Sequence, residues 1–149
     1  MIILDKKVER RNEFKKLESE SFCTNNIKEF TILDLEQWHA YKMSEKKIPN
    51  LGIQIFSDQN VLSIINDLVY FKIIEINFRH FKDGRPFTLV KELRKKYNFT
   101  KEVRASGNIL PDQYVFLLRC VFDTVEIPKG QKDIWIKLLV MDDGIYYQP

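Results

Sequence analysis

The sequence predicts an α/β fold: a mainly parallel open sheet of βαβ units with a short N-terminal β/α extension. Between residues 51 and 127, four short apolar runs alternate with segments whose apolar residues recur at helical spacing. A helix between consecutive strands predicts right-handed crossovers, and therefore parallel strands. Because four strands are too few to complete an eight-stranded barrel, an open layered sheet is favoured, which N-terminal strands could extend.

The chain length predicts one domain. The sequence has 149 residues, enough to bury one sizeable core. We therefore interpret 1–149 as a single α/β domain, in which residues 1–50 form the N-terminal extension and residues 51–149 form the βα-repeat core.

The N-terminal extension contains two short strand-like runs, at residues 2–4 and 29–33. Asp34 is placed to cap a helix over 35–43, because an aspartate can accept a hydrogen bond from the exposed N–H groups of a first helical turn. Residues 44–50, which end in Pro49-Asn50, are predicted to form a linker.

The core elements follow one another regularly. Val103 begins a strand whose signal is weak, because the charged Arg104 follows it directly. Pro111 suits the first turn of a helix, because its missing N–H costs nothing there. In order we predict a strand at 51–56, a helix capped by Ser57 and Asp58, a strand at 73–78, a helix containing Leu89, Val90, Leu93 and Tyr97, the strand at Val103, the helix from Pro111, a strand at 124–127 and a helix capped by Asp133.

Composition excludes several classes of protein. The net charge of +3 is too small to predict nucleic-acid binding. Cys23 and Cys120 lie far apart and outside any Cys-x-x-Cys or Cys/His cluster, so neither a metal centre nor a disulfide scaffold is predicted, and no cofactor is expected. Cys120 is interpreted as a small core residue. The start of the chain meets Asp5 before a signal-peptide core could form, and no apolar run could cross a bilayer, so we expect a cytoplasmic protein.

Two polar clusters mark the candidate site. Asp83-Gly84-Arg85 and Arg104-Ala105-Ser106-Gly107 each follow a strand-like run and precede a helix-like run. In an open parallel sheet, ligands bind beyond the carboxyl ends of the strands, so both clusters should open on the same edge. Gly107 would allow a close backbone approach or an unusual turn.

The roles of these side chains stay open at this stage. Arg85 at a helix N-terminus could bind an anion or carboxylate, or could form a salt bridge with a neighbouring acid. Arg104 could contribute to the same site or simply pair with Asp83 or Asp112. Gln113 could orient either arginine or contact a partner.

His80 could act as an acid or base because its ordinary pKa lies near neutrality. Without a placed nucleophile or metal partner, a structural role is the more common one for such a histidine. The sequence has no G-x-G-x-x-G after a strand, no Walker A motif, no G-x-S-x-G and no H-E-x-x-H, so no catalytic residue is assigned.

Several motifs together resemble an uncharacterised bacterial domain-of-unknown-function family. The resemblance also includes Trp38 and Tyr147-Gln148-Pro149, and it is specific from about residue 78 to residue 127. The motifs are Phe81-Lys82-Asp83-Gly84-Arg85-Pro86-Phe87-Thr88, Leu93-Arg94, Arg104-Ala105-Ser106-Gly107-Asn108-Ile109-Leu110-Pro111-Asp112-Gln113 and Leu118-Arg119-Cys120-Val121-Phe122-Asp123. Where the family usually has glycine, this chain has Pro86 and Val121.

Members of that family are labelled "probable oxidoreductase of sulfate assimilation" and are typically encoded beside siroheme sulfite reductase. The resemblance implies an accessory protein of sulfite reduction with sulfite reductase as its partner. The alternatives are a small enzyme that binds an inorganic anion or a phosphosulfate nucleotide, and an interaction module unrelated to sulfur. The residues predicted to bind a ligand or partner are Asp83, Gly84, Arg85, Arg104, Gly107, Asp112, Gln113 and Arg119.

Overall fold

The computed structural model describes residues 1–18, 22–23, 27–43 and 47–146, with side chains to residue 142. The strands are β1 (Ile2–Asp5), β2 (Val8–Arg10), β3 (Lys15–Lys16), β4 (Thr31–Asp34), β5 (Leu51–Phe56), β6 (Phe71–Phe78), β7 (Glu102–Gly107) and β8 (Thr124–Ile127). The α-helices are α1 (Leu35–Lys42), α2 (Arg85–Lys95), α3 (Tyr114–Arg119) and α4 (Lys132–Tyr146), and 3₁₀ helices cover Val61–Tyr70 and Pro111–Gln113.

All eight strands belong to one sheet, in the order β2-β1-β8-β7-β6-β5-β4-β3. The strands from β3 to β8 pair in parallel, which confirms the predicted mainly parallel arrangement and the four parallel strands of the core. The N-terminal strands β1 and β2 are antiparallel to their neighbours. The sheet is therefore mixed, and the N-terminal extension supplies strands at both of its ends.

The sheet is curled, whereas the sequence predicted an open one. In a flat sheet, five strand spacings of about 4.8 Å would separate β3 from β8 by roughly 24 Å. Lys16 on β3 nevertheless reaches Glu126 on β8, with 3.5 Å between Nζ and Oε1. The two edge strands β2 and β3 are also joined by only residues 11–14. The strand-like runs predicted at residues 2–4 and 29–33 correspond to β1 and β4, whereas the two edge strands β2 and β3 were not predicted.

The two faces of the sheet differ in chemistry. The main core contains the apolar side chains of one face, including Ile53, Ile74, Val103 and Val125, packed with buried residues of the helices such as Trp38. On the inner face, the register aligns Gln54, Glu75, Arg104 and Thr124 across four neighbouring strands. Polar side chains thus line the middle of the curl.

The helix boundaries follow local capping chemistry. Asp34 caps α1 as predicted, since its side chain accepts from the N–H of Gln37 at 2.8 Å. The segment after β5 is a 3₁₀ helix capped by Asn60, so the prediction of Ser57 and Asp58 as caps was wrong. Asp133 lies within the first turn of α4 instead of capping it. Part of the predicted linker, residues 44–46, and residues 147–149 lie outside the described residues.

Val121 ends α3 in a backbone conformation that favours glycine. Its φ is +67°, the N–H of Phe122 donates to the carbonyl of Leu117, and the N–H of Val121 donates to the carbonyl of Leu118. This is the Schellman pattern of a helix end, whose left-handed residue is usually glycine. The valine side chain is 44% exposed, so it contributes little burial to offset the backbone strain.

Val121→Gly should therefore stabilise the protein by about 1 kcal/mol, because relief of the left-handed strain exceeds the added backbone entropy of glycine. Urea denaturation measures the change. Val69→Gly is a matched control, since Val69 is an exposed valine within a 3₁₀ helix, and that substitution should lower stability. A Val121→Gly protein that is less stable than the parent would contradict the assignment of strain to this position.

Candidate functional site

The loops that follow β6 and β7 meet at the carboxyl edge of the sheet, as the sequence predicted. The backbone N–H of Asn108 donates to the carbonyl of Phe78 at 2.9 Å, and its side-chain amide donates to the carbonyl of Arg79 at 2.5 Å. These bonds connect the first residue after β7 to the end of β6. The two loops are therefore joined at the points where they leave the sheet.

Gln113 makes a second connection between the loops. Its Nε2 donates to the carbonyl of Phe81 at 2.7 Å, while its Oε1 accepts from the N–H of Leu110 at 2.8 Å. The sequence left two roles open for Gln113, which were to orient an arginine or to contact a partner. In the structure, its amide instead binds backbone groups of both loops.

Asp83 and Arg85 form an ion pair at the start of α2. Arg85 donates from Nη2 and Nε to the carboxylate, at 2.8 Å for the closest pair, and its backbone N–H also donates to Asp83. Hydrogen bonding by Arg85, with further donation by Ser57, holds the pKa of the Asp83 carboxyl well below its usual range, although desolvation opposes this shift. Gly84 is the N-cap and Pro86 falls in the first turn, which suits the helix N-terminus.

The ion pair leaves the cation outermost. The Arg85 side chain is 60% exposed, whereas that of Asp83 is 7% exposed. Close by, Arg79 lies over the ring of Phe56, with 4.2 Å between its Cζ and the ring centroid. Its Nε also pairs with Oδ1 of Asp58 at 2.8 Å. The hydrogen bond from Arg79 is the main cause that lowers the pKa of Asp58.

Arg104 lies in different surroundings from Arg85. It is inside β7, only 2% exposed, and its Nε, Nη1 and Nη2 donate to Thr124, Asn12 and Glu102 respectively. The strand continues to Gly107, so Arg104 does not leave it at the carboxyl edge as predicted. The suggested pairing with Asp83 or Asp112 is also replaced by an ion pair with Glu102 at 3.0 Å. The polar inner face of the curled sheet explains why an arginine fits within a strand.

The other predicted residues occupy separate places. Gly107 ends β7 with a φ of +85°. His80 is exposed after β6, and Asp112 is exposed in the short 3₁₀ helix before α3. Arg119 on α3 pairs with Asp142 on α4 at 3.0 Å, which connects two helices instead of the two loops. The prediction for Cys120 is confirmed, since it is buried at the end of α3.

Apolar side chains that the sequence analysis missed are exposed beside these loops. Phe81 is 45% exposed, Leu110 is 40% exposed and Phe116, one helical turn beyond Gln113, is 52% exposed. An open cleft of about 520 Å³ is lined by His80, Phe81, Lys82, Asp83 and Arg85. We call residues 79–85 and 108–113 together with Phe116 the loop surface.

The loop surface is mixed in chemistry. It combines large apolar side chains with exposed cations, a composition enriched at protein interfaces. Within the described residues, no group of three or more His, Cys, Asp and Glu side chains is arranged to hold a metal ion, and no helix is both long and apolar enough to span a membrane. No acid, base or nucleophile is assigned.

Comparison with known proteins identifies the family. Residues 52–149, more than half of the chain, match the model of the family described as "Bacterial protein of unknown function (DUF934)". The chain belongs to the DUF934 family. The matched DUF934 region starts within β5 and includes both loops of the loop surface. No curated protein and no solved structure matches the chain.

Proposed function

We propose that this DUF934 protein is an accessory protein of assimilatory sulfite reduction that docks to siroheme sulfite reductase through the loop surface. The choice of partner rests on the resemblance of the loop motifs to the family encoded beside that enzyme. The proposal assigns the chain a binding role and no redox step of its own.

The exposed aromatic and cationic composition of the loop surface supports a docking role. Phe81 and Phe116 offer the kind of large, partly exposed side chains that contribute most to binding energy at interfaces. The outward guanidinium of Arg85 and the ammonium of Lys82 complement an acidic rim on the partner. Because Gln113 and Asn108 hold both loops in place, little ordering entropy should be lost on binding.

Co-purification tests this role. A tagged chain expressed with siroheme sulfite reductase should retain the enzyme, and Phe81→Ser combined with Leu110→Ser should lose it, because the substitutions remove apolar contacts without touching the core. Leu62→Ser with Val69→Ser is the matched control, since those two exposed residues lie in the 3₁₀ helix and outside the loop surface. Equal retention by both double variants would contradict docking through the loop surface.

A further inference from the structure

The inner face of the curled sheet contains a buried carboxylate with one unused oxygen. Glu75 lies at the middle of β6 and is 0% exposed. Its Oε2 accepts from Gln54 at 2.6 Å and from Lys16 at 2.8 Å. Its Oε1 is buried and has no hydrogen-bond partner among the described residues. A buried charged oxygen without a partner is costly, so it calls for an explanation.

The groups around Glu75 form an acidic cluster across the curl. Lys16 also approaches Glu126, at 3.5 Å, while Arg104, aligned with Glu75 on the next strand, pairs with Glu102, and Arg10 pairs with Asp5 and Glu102, so that these four side chains are neutral overall. Two carboxylates and one ammonium leave the cluster of Glu75, Glu126 and Lys16 with one net negative charge. The cluster therefore favours one additional positive charge.

Lys16 is the most exposed member of this cluster. The Lys16 side chain is 40% exposed and that of Glu126 is 13% exposed, whereas Glu75 lies beneath them. Lys16 has a long flexible stem on a two-residue edge strand, so its ammonium can move without breaking the sheet. Nearer the carboxyl ends of the strands, the amide of Asn77 donates to Ser106, which continues the polar inner face.

We infer that the inner face binds a small organic cation with a primary ammonium group, which donates a hydrogen bond to Oε1 of Glu75. An ammonium supplies both the missing donor and the missing charge, and the neighbouring Lys16 shows that the cluster accommodates that group. An anion would meet an unpaired acceptor and a net negative charge. The inference is independent of docking, because the loop surface is formed by other residues.

Ethylamine, which is protonated at neutral pH, and ethanol, its neutral counterpart, test the inference at constant ionic strength. Ethylamine should raise the melting temperature of the protein along a saturable curve, and ethanol should not. In Glu75→Gln the apparent affinity should fall by about tenfold or more, because the charge on the acceptor is lost. Asp58→Asn, which neutralises an exposed carboxylate outside the curl, is the matched control and should bind like the parent.

Glu126→Gln is the second test variant if Glu75→Gln does not fold. It should also weaken ethylamine binding, because it removes the other negative charge of the cluster. Three results would each overturn the inference: no saturable response to ethylamine, an equal response to ethanol, or unchanged affinity in the glutamine variant that folds. A crystal structure grown with ethylamine in which only a water molecule contacts Oε1 would likewise assign that oxygen to a structural water.

Discussion

Arg104→Ala should destabilise the protein by about 2–4 kcal/mol, because it removes a buried side chain that donates three charge-assisted hydrogen bonds. Arg104 is 2% exposed, and its removal leaves Glu102 with the longer ion pair to Arg10, at 3.4 Å, as its remaining salt bridge among the described residues. The hydroxyl of Thr124 and the amide of Asn12 also lose a charged donor. The free energy of unfolding from urea titration, followed by far-ultraviolet circular dichroism, gives the value.

Arg85→Ala is the matched control for this prediction, because the sequence placed both arginines in one candidate site. Its side chain is 60% exposed, and Asp83 would still accept from the backbone N–H of residue 85. The unfolding midpoint should therefore fall less than in Arg104→Ala, because truncation of the exposed Arg85 side chain also lets water reach Asp83. Similar losses in both variants would contradict the separation of the two arginines.

Gly107→Ala should destabilise the protein by about 2–4 kcal/mol, because both the backbone and the surrounding space require glycine. A Cβ at this position would lie 2.5 Å from Oδ1 of Asn77 and 2.7 Å from the carbonyl oxygen of Phe78. The φ of +85° adds strain for any residue with a side chain. The loop would have to move away from β6, which would break the bonds that Asn108 makes.

Gly84→Ala controls for the loss of a glycine as such. A Cβ on Gly84 would meet nothing within 4 Å, and its φ of −88° is ordinary for alanine. That variant should unfold close to the parent under chemical denaturation. If Gly107→Ala were equally well tolerated, the close approach between the two loops would not exist in solution.

The sequence predicted the parts of the fold that depend on local patterns. The apolar run at residues 51–56 became β5 with the same bounds, and Asp34 capped α1. The meeting of the two loops followed from the rule for strand ends in parallel sheets. Such features depend on residues close in sequence or on a general rule of topology.

The curl and the polar inner face depend on contacts between distant residues. Nothing near Lys16 indicated that it would reach Glu75 or Glu126 across the sheet. A signal did exist, because Gln54 and Glu75 each stand between two isoleucines, and Arg104 stands between Val103 and Ala105. Side chains of this kind in neighbouring parallel strands indicate a shared polar face.

The exposed aromatic side chains of the loop surface were missed for a different reason. Burial of a single phenylalanine in a loop depends on what packs over it, and the sequence does not contain that information locally. The structure leaves Phe81 and Leu110 partly exposed while Gln113 holds their loops together. The docking proposal depends on this exposure.

The affinity between the purified chain and purified siroheme sulfite reductase, measured by titration calorimetry, tests the docking proposal most directly. We expect a saturable complex, an affinity at least about tenfold weaker for Phe81→Ser with Leu110→Ser, and an unchanged affinity for Leu62→Ser with Val69→Ser. Absence of binding by the parent protein, or an equal affinity for both double variants, would contradict the proposed function.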